Sequence, residues 1–212
     1  KQKLQEKLHR VFHQYGFEDI ETPTFEYFEV FSKEVGTIPS RELYKFFDRE
    51  GNTLVLRPDF TPSVSRACAT YFNPEKEVVS LCYTGNTFIN NSSFRGRLKE
   101  TTQMGVERMG DDSPEADAEI LAMTVECLLA TGLTEFQVSV GQVDYYKAIF
   151  AQTGMSQEEE EELRELISQK NYFGVEELVK NKNMDKSLAR VLSQLPQMFG
   201  STEVLEKAKS LT

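Results

Sequence analysis

The stretch from Leu81 to Gly110, LCYTGNTFINNSSFRGRLKETTQMGVERMG, constrains the fold more than any other, because it reads as one long hairpin with polar side chains in strand register. Side chains alternate between the two faces of a strand. On that rule Thr87, Ile89 and Asn91 share one face, with Phe88 and Asn90 on the other. A turn drawn from Asn91, Ser92, Ser93 and Gly96 reverses the chain. The return arm then sets Arg97, Lys99, Thr101, Gln103 and Glu107 on a common parity, with Met104 and Val106 opposite. Strands apolar on one side and polar on the other belong in an antiparallel sheet with one face against a core. The polar row is then a solvated face or a binding face, and the pattern alone leaves both open.

The flanking segments supply the layers such a sheet needs. Leu4, Leu8, Val11, Phe12 and Tyr15 recur at helical spacing and Gly16 offers a C-cap, so the chain opens on an amphipathic helix. A short extended segment then leads to Pro23 and an aromatic run, Phe25, Tyr27, Phe28 and Phe31, which an edge strand stopped by a proline explains. Leu43 to Asp48 and Thr53 to Arg57 flank the turn-rich Arg49-Glu50-Gly51-Asn52 and form a second hairpin. Thr61 and Pro62 read as N-cap and N1 of a helix bearing Val64, Ala67, Cys68 and Tyr71. Ser113 and Pro114 start a helix to about Thr131, with Ala116, Ile120, Cys127 and Leu128 inward and Gly132 closing it. Phe136, Val138 and Val140 then alternate as a strand.

The expected class is α+β, an antiparallel sheet flanked by helices. From Tyr145 the composition turns helical: Ser156 and Glu159 make a capping box, and Glu158 to Glu162 suit the positive end of a helix whose buried stripe is Leu163, Leu166 and Ile167. Further helical runs follow at Val175 to Val179, Leu188 to Leu195 and Val204 to Ala208. The expected division is a core at residues 1–144 and a small helical insertion domain at residues 145–212.

Composition narrows the function classes. With 212 residues, 39% hydrophobic and 27% charged, the chain can bury one sizeable core plus a small appendage. The net charge of −10 argues against a tight grip on tRNA or DNA, which relies on Lys and Arg neutralising phosphates. Cys68, Cys82 and Cys127 lie far apart in apolar surroundings without CxxC spacing, so reduced buried thiols in a cytoplasmic protein are expected. No apolar run approaches the ~20 residues of a membrane span, and the opening KQKLQEKLHR is too polar for a signal peptide. His9 and His13 stand one turn apart with only Glu6 close in sequence as a third ligand, so the polar face of a surface helix accounts for all three and no metal is expected. No phosphate-cradling Gly-rich loop and no nucleophile–histidine arrangement is present, and neither catalytic residues nor a cofactor are expected. Asp59, Gln103 and Glu107 offer two anions and an amide, which suits an ammonium group. Structural ion pairs with Arg57, Arg97 or Arg108 would use the same carboxylates.

Several of these segments resemble class II aminoacyl-tRNA synthetases, specifically the histidyl type. Phe88, Gly96, Arg97, Gln103 and Glu107 match the spacing of that family's motif 2, LRPDFT resembles its Leu-Arg-Pro-Glu-Gly-Thr segment, and Pro23 looks like the motif 1 proline of the dimer interface. The resemblance implies that Asp59, Thr61, Gln103 and Glu107 form a pocket for the amino-acid half of the site, with Arg97 as a further contact. The departures are specific. Ile89 stands where the family's ATP-binding Arg would be and Asn91 where its Glu would be, and Phe60 replaces a Gly. A guanidinium that clamps phosphate through paired hydrogen bonds has become a hydrocarbon. The histidine loop, motif 3 and anticodon-binding domain are also not found in these residues. The spelling is similar to the synthetase-like paralogues that act as regulatory subunits of ATP phosphoribosyltransferase. That resemblance implies a separate short catalytic subunit as partner, self-association into a dimer within a hetero-oligomer, histidine as ligand, and no tRNA or membrane partner. An active histidyl-tRNA synthetase fragment is the alternative.

Overall fold

The computed structural model describes residues 1–32, 38–91, 96–182, 185–194 and 197–210. Two compact units divide the chain, Lys1–Val138 and Ser139–Thr212.

The first unit opens on helix α1 (Gln2–Gln14). It ends in a Schellman turn: Gly16 takes φ +78° and donates to the His13 carbonyl at 3.0 Å, while the Phe17 N–H reaches back to Phe12 at 3.1 Å. Strand β1 (Glu18–Asp19) follows, then an irregular segment holding Pro23, strand β2 (Phe25–Tyr27) and helix α2 (Phe28–Ser32). Pro23 therefore lies between two strands and not inside one. A 3₁₀ turn at Ser40–Glu42 leads to β3 (Lys45–Phe47) and β4 (Thr53–Leu56). The turn between them is organised by the Asp48 carboxylate, which accepts from the Asn52 backbone and side-chain amides, both at 2.8 Å.

Helix α3 (Thr61–Tyr71), the long strands β5 (Val79–Phe88) and β6 (Glu100–Met109), and helix α4 (Pro114–Thr131) complete the unit. The sequence reading put the N-cap of α3 at Thr61. Phe60 occupies that position, and the Thr61 side chain is engaged elsewhere. At α4 the Ser113 hydroxyl caps the Ala116 N–H at 3.2 Å and Gly132 closes the helix at φ +98°, as the sequence indicated.

Strand order is β1-β5-β6 in one three-stranded sheet and β2-β4-β3 in another, so two small sheets form where one was expected. The β5–β6 hairpin pairs in unbroken register from Val79↔Met109 to Phe88↔Glu100. That register sends odd-numbered side chains to one face and even-numbered ones to the other. On the odd face Val79, Leu81 and Tyr83 pack with Phe60, Val64 and Cys68 under α3. On the even face Cys82, Met104 and Val106 meet Val11, Phe12, Phe17 and Met123 of α1, its turn and α4. Expected turn residues Ser92 and Ser93 lie outside the described residues.

The Phe136–Val140 strand expected from alternation is not formed: residues 133–142 make no ladder and are exposed throughout. Alternation gives a strand two faces but no partner, and an unpaired strand leaves its amides to water.

The second unit holds α5 (Val143–Thr153), α6 (Gln157–Ser168), α7 (Tyr172–Asn181), α8 (Lys186–Gln194) and α9 (Glu203–Lys209). The capping box is formed, with Ser156 N–H donating to Glu159 Oε2 at 2.9 Å and Glu159 N–H to Ser156 Oγ at 3.4 Å. Its own core gathers Ile149, Phe150, Leu163, Val175, Val179, Val191 and Leu192. Leu195, expected at the end of the α8 run, lies outside the described residues.

Candidate functional site

The odd face of the hairpin, beyond the apolar residues under α3, becomes polar, and the segment entering α3 brings Asp59 and Thr61 over it. Thr61 Oγ1 donates to Glu107 Oε1 at 2.6 Å, and Tyr83 Oη donates to the same oxygen at 3.4 Å. Gln103 Nε2 donates to Asp59 Oδ1 at 3.1 Å and reaches the Tyr83 hydroxyl at 3.5 Å. The Phe60 N–H also donates to Asp59 Oδ1, at 2.7 Å. Four residues separated by up to 48 positions in sequence therefore form one hydrogen-bonded group, with Tyr83 at its centre. The second oxygens, Asp59 Oδ2 and Glu107 Oε2, accept no hydrogen bond from described residues.

Tyr83 was not singled out by sequence reasoning. A signal was present: Gly105 lies directly opposite it in the hairpin register, and a Cβ there would stand 2.4 Å from the Tyr83 hydroxyl oxygen. Glycine inside a strand marks such a close approach. The Tyr83 ring stacks on Phe60, centroids 4.3 Å apart and planes 8° from parallel, and the Arg57 guanidinium lies over the other side of Phe60 at 4.0 Å. Phe60, the departure from the family's Gly, thus forms the middle layer of a floor beneath the polar group. Gly85 makes room for that floor, since a Cβ there would meet Arg57 Nη2 at 2.5 Å and Phe60 Cζ at 2.6 Å.

Two of the arginines that could have neutralised the carboxylates, Arg57 and Arg108, are committed elsewhere. Arg57 Nε donates to the Asn86 carbonyl at 2.8 Å, and its Nη1 donates to the carbonyls of Thr22 at 2.8 Å and Pro23 at 3.4 Å. Arg108 pairs with Asp111 at 3.4 Å and with Glu119. Arg97 is exposed and makes no hydrogen bond or ion pair with the group. Burial pushes the Glu107 carboxyl above its ordinary range, and the nearby Asp59 adds to this while the Thr61 and Tyr83 hydroxyls oppose it. Burial raises Tyr83 as well, with Glu107 and Asp59 adding to it, so the phenol stays protonated and remains a donor. The group is a half-buried anionic recess with hydroxyl and amide groups around it and no cation paired with it among the described residues. Such a recess suits an ammonium ion, which would offset the cost of burying two carboxylates.

Past Thr87 the hairpin changes character. Thr87 Oγ1 meets Thr101 Oγ1 at 3.0 Å across the strands, the Ile89 N–H continues the ladder to Lys99 at 2.9 Å, and Asn91 Nδ2 donates to the Leu98 carbonyl at 3.4 Å. Neither Ile89 nor Asn91 offers a charge to a phosphate. A groove of about 560 Å³ lies on the opposite side, lined by Leu4, Leu8, Leu98, Thr102 and Met104 among others, and it includes none of Asp59, Thr61, Gln103 or Glu107.

A family model described as histidyl-tRNA synthetase matches residues 1–212. A protein from Acetivibrio thermocellus named ATP phosphoribosyltransferase regulatory subunit is 40% identical over 99% of this chain and 50% of its own length. One of the same name from Ruminiclostridium cellulolyticum is 38% identical over 99% of this chain and 50% of its own. The chain thus spans about half the length of the curated relatives it matches. A Bacillus halodurans crystal structure described as an ATP phosphoribosyltransferase regulatory subunit/histidyl-tRNA synthetase superposes with a TM-score of 0.88 at 31% identity, over 100% of this chain and 55% of that one. A histidine–tRNA ligase subunit from Alicyclobacillus acidocaldarius has a TM-score of 0.73 at 19% identity over 99% of this chain and 67% of that one, which speaks to the fold alone.

Proposed function

The chain belongs to the histidyl-tRNA synthetase family, and from that premise we propose that it is the synthetase-like portion of an ATP phosphoribosyltransferase regulatory subunit that binds histidine and does not aminoacylate tRNA. One observation carries this reading: Asp59, Thr61, Gln103 and Glu107 converge in an anionic recess that no cation among the described residues enters, while the adjoining stretch presents Ile89 and Asn91. The half of the site suited to an amino group persists, and the half suited to a nucleotide phosphate does not.

In this role the histidine ammonium sits between Asp59 and Glu107 and accepts no help from Arg97. Occupancy of the recess is read by a separate short catalytic subunit, which needs this protein for activity and takes its feedback from histidine at the first step of histidine biosynthesis. The protein works in the cytoplasm, without tRNA. No helix among the described residues is long and apolar enough to cross a membrane. Self-association uses the second sheet, whose outer face carries Phe25 and Tyr27, half exposed at 50% and 53%, beside Phe46.

Isothermal calorimetry with histidine, catalytic subunit absent, tests the site directly. Saturable heat at or below millimolar histidine is expected, and its absence would move histidine sensing to the partner. Histidine-dependent exchange between pyrophosphate and ATP should stay at background. Exchange well above it would establish an active ligase instead.

A further inference from the structure

His9, His13, Asp19 and Cys82 lie away from the recess, on the other face of the hairpin sheet. The sequence reading sought a third ligand for the two histidines at Glu6, but the fold supplies two others. Asp19 of β1 and Cys82 of β5 are paired across the parallel ladder, and the Schellman turn after α1 swings the last helical turns over them. One donor atom from each of the four residues lies within 4.8 Å of the others. His9 Nε2 and His13 Nε2 both contact the Asp19 carboxylate, the second at 3.0 Å, and Cys82 Sγ donates to Asp19 Oδ1 at 3.4 Å.

We propose that these four side chains form a binding site for a tetrahedral transition-metal dication, zinc being the ion that fits best. Two imidazoles, a thiolate and a carboxylate make the mixed donor set that zinc accepts, whereas calcium and magnesium take oxygen ligands. Donors around a zinc ion with bonds of about 2.0–2.3 Å stand about 3.3–3.8 Å apart, and the observed donor atoms, all within 4.8 Å of one another, reach that arrangement by shifts of about an ångström, the closest pairs parting and the farthest drawing in.

Access and anchoring are both provided. His9 and His13 are 37% and 46% exposed and Asp19 56%, while Cys82 is fully buried at the floor. An ion can enter from solvent, and the thiol meets it last. Metal entry displaces the thiol proton to solvent, as thiolate ligation requires. The bound ion would clamp α1 to the β1–β5 ladder, which the helix otherwise meets through apolar contacts and this hydrogen-bonded cluster.

The experiment uses the full chain, purified without a polyhistidine tag and treated with chelator, then titrated with zinc or cobalt(II) alone. One zinc per chain is expected by elemental analysis after gel filtration. Cobalt should give intense visible bands of a tetrahedral site together with a near-ultraviolet thiolate charge-transfer band, and zinc should raise the melting temperature. Cys82→Ser should lose the charge-transfer band. His13→Gln, an exposed change that the fold tolerates, should weaken zinc binding at least ~10-fold and abolish the thermal shift. Folded wild-type protein that retains no zinc, or a cobalt spectrum unchanged in Cys82→Ser, would overturn the site and leave a hydrogen-bonded His–Asp–thiol cluster.

Discussion

At the scale of single residues the decisive feature is a carboxylate held against its own preference. Glu107 sits half-buried beside Asp59 with no cationic partner among the described residues, and its folded-state pKa is raised chiefly by burial. A carboxylate of this kind contributes stability that is fully present below its unfolded pKa and lost as pH rises through its folded pKa. As pH rises past the carboxylate range, burying that charge becomes a standing cost. Glu107→Gln should therefore raise the melting temperature of the ligand-free protein at pH 7, with the gain shrinking as pH falls through the carboxylate range. The same variant should bind histidine at least ~10-fold more weakly, because a charged contact worth a few kcal/mol is gone. Calorimetry and melting curves of one protein pair check both. A variant that loses stability at pH 7 and binds unchanged would make Glu107 a structural residue. Gly85 tests the floor by a different route. Gly85→Ala drives a methyl into Arg57 and Phe60, and overpacking of this sort costs about 1–3 kcal/mol, visible in the denaturant midpoint.

At the scale of elements, local signals and non-local partners behaved differently. The Ser156–Glu159 box was readable because a cap needs only residues three positions apart. Ser156→Ala should cost about 1 kcal/mol and speed amide exchange within Gln157–Ser168 before the rest of the second unit. The β5–β6 hairpin was equally readable, down to the shared parity of Gln103 and Glu107, since a period of two fixes both faces once register is set. Elements whose existence depends on a distant partner were not. Phe136–Val140 alternates correctly but finds no ladder among the described residues. Thr61 has the right residue type for a cap, yet its hydroxyl goes to Glu107, 46 positions away. Helix α5 falls where helical composition was expected from Tyr145, but its bounds were not legible because its opening VDYYKAIF has β-branched and aromatic residues, and its real markers are the Gln142 cap and the left-handed Gly154. Asp19 and Cys82 were not read as neighbours of the two histidines for the same reason that Tyr83 was passed over: each acquires its meaning from a cross-strand neighbour.

At the scale of the whole molecule, the second sheet is the surface with the most to gain from a second copy. Its inner face is closed by Val55 with Phe31 and Leu43. Its outer face shows Phe25, Tyr27 and Phe46, with Phe25 and Phe46 meeting edge to face at 5.7 Å, and Leu54 and Leu56 half-buried between them. Contiguous apolar surface on a sheet is an association site or an aggregation hazard. A two-fold contact makes the patch its own partner, so every substitution acts twice. A tyrosine side chain buried on association contributes about 1.5–3 kcal/mol. Doubling that, and adding the repulsion of two like charges brought together near the axis, predicts that Tyr27→Glu raises the dimer dissociation constant at least ~100-fold. The fold should be unaffected, because Tyr27 points to solvent within the chain. Light scattering at micromolar concentration should give a dimer mass for wild type and a monomer mass for Tyr27→Glu, with matching circular dichroism. A monomeric wild type, or a variant that dimerises equally well, would free this face for the catalytic subunit instead, and co-purification of that subunit with wild type but not with Tyr27→Glu would then locate its docking surface on the second sheet.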